Sequence, residues 1–181
     1  SSDIVGGSIV IKENKEYAEK ISYIQNAVGA IPSPFDCYLL TRSIKTLSVR
    51  MKQHNENAIA ISNFLTNHSK INKVFFPGID ERYKEVAAKQ MDGFGGMMSF
   101  ILDTNIDGVK SFLKNLNIFT LAESLGGVES LIEHPAIMTH ASIDSSIREK
   151  LGISDTLLRI SVGIEDVDDL IADLDQALSK I

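Results

Sequence analysis

The amino-acid sequence predicts an α+β fold, in which a mixed or antiparallel sheet carries helices on one face. Two observations favour this class. In the second half of the chain, short β-branched or aromatic runs alternate with amphipathic runs, and short connections join them. Before these runs, apolar residues recur at helical spacing over about 30 residues, whereas the mean helix has about 11–12 residues. A helix of that length bridges parts of a structure or presents a face to a partner.

The composition is that of an ordinary globular protein, and it excludes some classes of function. Of the 181 residues, 44% are hydrophobic and 23% are charged, and the formal net charge is −6. This acidic balance argues against sequence-independent nucleic-acid binding, which needs a basic face to displace counterions. The lone Cys37 cannot form an intrachain disulfide. Because we find neither a signal peptide nor an apolar run long enough for a bilayer, we expect a cytoplasmic protein without a membrane partner.

The first 32 residues are predicted to hold one strand and one helix. The run Ile4–Ile11 is β-branched and is interrupted by two glycines, which indicates a strand with a bend. Residues Glu13–Ala27 have a helical pattern, and Gly29 directly after them is a typical helix stop.

The long helix is predicted over residues 33–68. Ser33 is a suitable N-cap, Pro34 suits the first helical position, and Asp36 suits the electropositive first turn. Its apolar stripe consists of Phe35, Tyr38, Leu39, Leu47, Met51, Ala58, Ile61 and Leu65.

The rest of the chain alternates between the two types of element. The predicted strands are Lys73–Pro77, Gly95–Leu102, Ile118–Glu123 and Leu157–Gly163. The predicted helices are Asp80–Met91, Asp107–Leu116 and the tail from Glu165 onwards. The tail carries acidic residues in its first turn, where the helix dipole favours negative charge.

Neither the histidines nor the glycine clusters form a pattern typical of a bound metal or phosphate. The four histidines, His54, His68, His134 and His140, lack the HxH, HxxxH and HExxH spacings, and no second cysteine is present. We therefore interpret them as surface or packing residues and predict no metal site. The glycines of residues 92–96 match no phosphate-binding loop and indicate a turn before a strand.

Arg159 is the residue for which the pattern suggests chemistry. Leu158, Ile160 and Val162 alternate on one face of their strand, so Arg159 and Ser161 lie on the other face. One interpretation is an ordinary solvated arginine. The other is a carboxylate clamp, because the planar guanidinium can hold a carboxylate through two parallel hydrogen bonds. The second interpretation requires a guanidinium that is not buried in a structural ion pair.

The run Ala122–Leu131 follows a predicted strand and places Glu123 and Ser124 where the chain leaves the sheet. Loops at strand ends commonly carry binding groups. Composition alone indicates only a turn around the two glycines that follow. From the residues themselves, the chain is an α+β domain with one candidate anion site.

Four segments of this sequence resemble the cysteine/methionine-metabolism family of pyridoxal-phosphate enzymes. They are Gly29–Met51, Val74–Gly78, Ala122–Ser142 and Leu151–Leu178. The resemblance implies the aminotransferase-like architecture called fold type I. It implies that residues 1–32 are the tail of a large cofactor domain, that 33–68 form an interdomain helix, and that 69–181 form the C-terminal small domain.

The resemblance also implies roles for single residues. Arg159 matches the arginine that holds the substrate α-carboxylate, and Ser124 matches a residue that helps to position it. Glu123 matches a position that tunes substrate and reaction, and a glutamate there resembles the γ-lyases and γ-synthases. Asn26 matches a residue near the cofactor pocket. The lysine that binds the cofactor is expected just before Ser1, so no catalytic residue is assigned in this chain.

The implied activity is that of a lyase, which cleaves the γ C–S bond of cystathionine to give cysteine, 2-oxobutanoate and ammonia. Pyridoxal phosphate would serve as the electron sink for such a reaction. The alternatives are a γ-synthase reaction, which joins an activated homoserine to cysteine, and a non-catalytic small-molecule-binding or interaction domain. The resemblance further implies a homotetramer for the full-length protein and an inactive isolated chain.

Overall fold

A computed structural model describes residues 3–181. It divides the chain into two compact units, one up to Leu47 and one from Ser48 onwards. The helices are α1 (Lys15–Val28), α2 (Pro34–Ser43), α3 (Leu47–Thr66), α4 (Lys84–Gln90), α5 (Ile106–Asn115), α6 (Ser145–Lys150) and α7 (Val167–Leu178). The strands are β1 (Ile71–Phe75), β2 (Met97–Leu102), β3 (Thr120–Leu121), β4 (Leu131–Glu133) and β5 (Leu157–Ser161).

The first unit contains the predicted helix but not the predicted strand. Helix α1 begins after Asn14, whose side chain accepts a hydrogen bond from the Tyr17 N–H, and it ends at Gly29, where φ is 67°. The strand predicted at Ile4–Ile11 is wrong, because that segment is irregular and pairs with no strand among residues 3–181. A β-branched composition favours a strand only where a neighbouring strand satisfies its backbone.

The predicted long helix is divided into segments. Ser33 caps α2 by accepting a hydrogen bond from the Asp36 N–H, and Pro34 occupies its first turn, as predicted. A 3₁₀ turn over Ile44–Thr46 separates α2 from α3. Its Thr46 hydroxyl donates to the Ser43 carbonyl at 3.1 Å, a local bond that competes with the α-helical pattern. The three-part domain assignment of residues 1–32, 33–68 and 69–181 remains a prediction.

The second unit is built on one mixed five-stranded sheet. The strand order is β1-β2-β5-β4-β3, and every pair is antiparallel except β3 with β4, which is parallel. This confirms the predicted α+β class with a mixed sheet. The sequence analysis did not predict β4, because all three of its residues are buried and no alternation marks it. It also assigned no helix to the residues of α6.

The core of this unit joins three helices to alternate residues of the sheet. Side chains from α3, α5 and α7 pack with Phe100 of β2 and with Leu158 and Ile160 of β5, all of which are fully buried. None of the helices described is both long enough and apolar enough to cross a membrane.

A buried carboxylate on α7 anchors the segment that leads into β3. Asp173 is 4% exposed. Its Oδ1 accepts a hydrogen bond from the Asn117 N–H at 2.8 Å, and its Oδ2 accepts from Ile118 and Phe119 at 2.8 and 3.1 Å. Burial by itself would raise the pKa of Asp173, but the three backbone donors outweigh it and hold the pKa below its ordinary value.

Replacing Asp173 should lower the stability of the protein in a pH-dependent way. We expect Asp173→Asn to reduce the free energy of unfolding by about 2–4 kcal/mol at pH 7, because each hydrogen bond to a charged group contributes about 1.5–3 kcal/mol. The folded pKa is depressed, so this stabilisation is complete above the ordinary pKa of about 4 and is lost as the pH falls further. Urea unfolding at pH 7 and pH 3 measures both effects.

Asp175→Asn is the matched control for this experiment. Asp175 lies on the same helix, its side chain is 64% exposed, and its pairing with His68 is a surface contact of small expected energy. Equal losses of stability in the two variants, or a loss for Asp173→Asn that is no smaller at pH 3 than at pH 7, would contradict the assignment.

Candidate functional site

A row of polar side chains crosses the face of the sheet that is turned away from the core. The strand register places Ser99 of β2 and Glu133 of β4 on either side of Arg159 of β5. Leu158 and Ile160 belong to the core, so the predicted alternation of β5 is confirmed. Opposed residues of neighbouring strands have their Cβ atoms about 4.5–5.5 Å apart, within direct reach of long polar side chains.

The Arg159 guanidinium is engaged on one nitrogen. Its Nη2 forms an ion pair with Glu133 Oε2 and donates a hydrogen bond to the Glu123 carbonyl at 3.2 Å. The side chain of Arg159 is 30% exposed, whereas that of Glu133 is 1% exposed. The clamp interpretation requires a guanidinium that is not buried in a structural ion pair; an ion pair is present, but the guanidinium remains partly exposed. The reason for the ion pair is β4, whose register brings a buried carboxylate directly beside the guanidinium.

The rest of the guanidinium retains the capacity to recognise an anion. Among residues 3–181, Nε and Nη1 have no hydrogen-bond acceptor, which leaves three of the five N–H donors of Arg159 available. A carboxylate can bind these donors directly. A carboxylate that binds both Nη1 and Nη2 must share Nη2 with the two oxygen atoms that already contact it.

The second carboxylate oxygen of Glu133 also has a hydrogen-bond partner. Its Oε1 accepts a hydrogen bond from the Thr139 hydroxyl, and the same hydroxyl lies 2.8 Å from His140 Nδ1. Because the hydroxyl has only one proton, His140 Nδ1 must donate to Thr139 when Thr139 donates to Glu133. Glu133 was not predicted as a site residue. It ends a three-residue strand that is wholly buried, and no pattern in the sequence distinguishes it.

The structure brings the Glu123–Ser124 segment beside Arg159. Both side chains are exposed in the loop that follows β3, and the Glu123 backbone carbonyl contacts the guanidinium. The Gly126 N–H donates to Ser161 Oγ at 2.8 Å, which ties this loop to the end of β5. Two of the predicted substrate-binding residues therefore lie in a loop that is connected to the strand of the third.

The same loop is fixed at its far end by Glu165. The Ser130 N–H and hydroxyl donate to Glu165 Oε1 and Oε2 at 2.7 and 2.9 Å. A close backbone approach at Gly163 makes this arrangement possible, since a Cβ there would lie 2.7 Å from the Ser130 nitrogen and would collide with the Val128 carbonyl. The loop thus runs between two anchors, one at Ser161, the last residue of β5, and one at Glu165 in the segment after β5.

Asn26 lies far from this group in the sequence. It is an exposed residue in the last turn of α1, within the first unit, and its carbonyl accepts a hydrogen bond from the Gly29 N–H.

Two of the histidines, His54 and His134, fill packing positions. Both are buried; a ring nitrogen of His54 lies 2.7 Å from the Val162 carbonyl, and a ring nitrogen of His134 lies 2.8 Å from the Asp155 carbonyl.

Pyridoxal phosphate is bound in enzymes by a lysine in a pocket, and no lysine of residues 3–181 is buried. Within the same residues, no three Asp, Glu, His or Cys side chains are grouped so as to hold a metal ion. The chemistry that the described residues can supply is the recognition and orientation of a carboxylate.

Comparison with known proteins places this chain among enzymes of sulfur amino-acid metabolism. The family model for Cys/Met metabolism PLP-dependent enzymes matches residues 1–179. The chain is 53% identical to a cystathionine γ-lyase of Dictyostelium discoideum and 51% identical to a cystathionine β-lyase of Coxiella burnetii, over 99% and 98% of its length. It covers 46% of each relative, so it spans about half of their length.

The fold is shared with solved enzymes of the same kind. A crystal structure of cystathionine γ-synthase from Xanthomonas oryzae pv. oryzae in complex with cystathionine matches with a TM-score of 0.86 and 46% sequence identity. The match covers 94% of this chain and 44% of the Xanthomonas chain.

Removing the Ser161 hydroxyl should loosen the loop that carries Glu123 and Ser124. We expect Ser161→Ala to speed hydrogen exchange of the Gly126 amide by about fivefold to tenfold, since a neutral hydrogen bond contributes about 1 kcal/mol. Amide exchange measured by NMR tests this directly.

Ser99→Ala provides the control, because Ser99 lies on the same face, two strand positions away, and makes no side-chain hydrogen bond within the described part of the chain. An unchanged Gly126 exchange rate in Ser161→Ala would show that Ser161 does not anchor the loop.

Proposed function

Since the chain belongs to the family of Cys/Met metabolism PLP-dependent enzymes, we propose that it is the substrate-carboxylate-binding part of a longer carbon–sulfur lyase. The proposed reaction is γ-cleavage of cystathionine, which yields cysteine, 2-oxobutanoate and ammonia. The observation that carries this proposal is the partly exposed Arg159 guanidinium, with three N–H donors that no described residue uses. A clamped α-carboxylate fixes one substituent of the α-carbon and so orients the bond to be broken.

The neighbouring loop supports specific roles for the other residues. Ser124 follows Glu123, whose carbonyl contacts Arg159, so a substrate bound to Arg159 would lie close to both. We assign Ser124 to positioning the carboxylate and Glu123 to the choice of substrate side chain. Asn26 is assigned to the cofactor pocket on resemblance alone.

The choice of γ-cleavage rests on Glu123. Identity to the γ-lyase of Dictyostelium and to the β-lyase of Coxiella is nearly equal, at 53% and 51%, and therefore does not separate the two reactions. A glutamate at position 123 resembles the γ-acting members. The Xanthomonas structure is a γ-synthase bound to cystathionine, which keeps γ-replacement as the second candidate.

The proposal assigns the cofactor to the rest of a longer protein. No described lysine is buried, and relatives are about twice as long as this chain. We therefore propose that the 181-residue chain alone lacks lyase activity. The same resemblance supports a cytoplasmic homotetramer as the complete enzyme, which light scattering of the longer protein would test.

The first test concerns the binding of the substrate carboxylate by Arg159. In the longer protein, we expect Arg159→Lys to raise KM for cystathionine about tenfold or more, because one lost charge-assisted hydrogen bond corresponds to at least about 1.4 kcal/mol. Lysine keeps the charge but lacks the planar fork. The absorbance of the bound cofactor should not change.

Arg82→Lys is a suitable control, since Arg82 pairs with Asp80 on the surface and its side chain is 60% exposed. A wild-type KM in Arg159→Lys would remove Arg159 from the site and with it the proposed function.

The second test identifies the reaction by its oxo acid. With cystathionine, γ-cleavage produces 2-oxobutanoate, whereas β-cleavage produces pyruvate. We expect 2-oxobutanoate from the longer protein and no oxo acid from the 181-residue chain. Mass spectrometry separates the two acids, and an activated homoserine supplied with cysteine tests for γ-replacement.

Pyruvate as the main product would contradict the role of Glu123. Absence of every product would favour the non-catalytic alternative, a domain that binds a small molecule or a partner. Activity in the 181-residue chain would overturn the assignment of the cofactor to a longer protein.

A further inference from the structure

We propose that Glu133 is a positioning residue for substrate binding, which acts through Arg159 and does not touch the substrate itself. This inference rests on the proposed function of Arg159. It assigns a role to a residue that the sequence pattern does not single out, and it explains why a buried acid stands beside the group that is to bind another acid.

The first step of the argument is burial. The Glu133 side chain is 1% exposed, and an ionised carboxylate in that environment requires compensation by charge and hydrogen bonds. It receives both. Arg159 Nη2 contacts Oε2, and the Thr139 hydroxyl donates to Oε1. Both oxygens are thus held from opposite directions, and the carboxylate is a fixed point in the structure.

The second step is the geometry of the pair. Glu133 and Arg159 are opposed residues of adjacent antiparallel strands, so the backbone as well as the side chains determines their separation. The Glu123 carbonyl supplies a further contact to the same Nη2. Because Nη2 is held by the ion pair with Glu133 and by one hydrogen bond to the Glu123 carbonyl, the guanidinium has a defined position, and Nε and Nη1 keep their donors for a ligand.

The third step is energetic. A free arginine side chain samples many rotamers, and a ligand that binds it must bear the entropy of ordering it. An arginine that is already ordered by Glu133 imposes less of this cost on the substrate. The opposing effect is that Glu133 neutralises part of the positive charge. Because Glu133 engages a different nitrogen from those left free, we expect the gain in order to exceed the loss of attraction.

The experiment uses the longer protein and two competitive inhibitors, L-alanine and L-alaninamide, which lacks the carboxylate. We expect Glu133→Ala to raise the inhibition constant of L-alanine about tenfold, because the ligand must then bear most of the entropy cost of ordering the Arg159 side chain, and to raise that of L-alaninamide by less than about twofold. Glu133→Gln keeps the shape and the acceptor oxygen. It should restore L-alanine binding to within about threefold of wild type.

Asp173→Asn controls for a general loss of stability, because Asp173 is also a buried carboxylate but contacts the Asn117–Phe119 backbone. A purely structural role for Glu133 predicts equal changes for both inhibitors. Equal changes, or an unchanged or lowered L-alanine constant, would overturn the proposal. If Glu133→Ala does not fold, the Glu133→Gln variant alone decides. The ratio of the L-alaninamide inhibition constant to the L-alanine inhibition constant must then be slightly lower than in the wild type, and a higher ratio overturns the proposal.

The two proposals fail in different ways. If Arg159→Lys leaves the L-alanine constant unchanged, the proposed function itself is wrong. If Arg159→Lys raises it and neither Glu133 variant alters discrimination between L-alanine and L-alaninamide, only the positioning role is wrong.

Discussion

The alternation of side chains along β5 is the constraint on which the second unit depends. Leu158 and Ile160 enter the core from one face, and Arg159 therefore lies on the other. A slip of one residue in the pairing would move the guanidinium into the core and the two apolar side chains out of it. The register that builds the core thus also sets the position of the candidate site, so that stability and the proposed carboxylate recognition depend on the same strand pairing.

The Glu133–Arg159 pair is better understood as a source of order than as a source of stability. Burying a carboxylate costs several kcal/mol by general estimates, and apolar replacements of buried ion pairs are often neutral or stabilising. What an apolar pair could not supply is a guanidinium of defined orientation on a sheet surface. The position of Glu133 on β4, a strand buried throughout, keeps water away from the carboxylate and directs its charge to Arg159.

Local patterns in the sequence were sufficient for α1, for the start of α2 and for one face of the sheet, but not for α6 or for the break between α2 and α3. The caps of α1 and α2 depend on residues a few positions apart, and the alternation of β5 is visible in five consecutive residues. The pairing of Glu133 with Arg159 joins residues far apart in the chain, and it depends on a strand too short and too buried to show any period. For the same reason, Ile4–Ile11 was predicted as a strand, since composition does not indicate whether a partner is present.

The proposed roles of the site residues fit a family that shares a fold but not a single reaction. In this proposal Arg159 binds the α-carboxylate, which every amino-acid substrate carries, so it cannot distinguish γ-cleavage from β-cleavage. Discrimination must come from groups near the rest of the substrate. In this chain the side chain of Glu123 is exposed in the loop that follows β3, and such a loop accepts substitution without disturbing the core. With these proposed roles, the group that recognises the α-carboxylate lies on the sheet and the group that selects the reaction lies in the loop, which agrees with the nearly equal identity to a γ-lyase and a β-lyase.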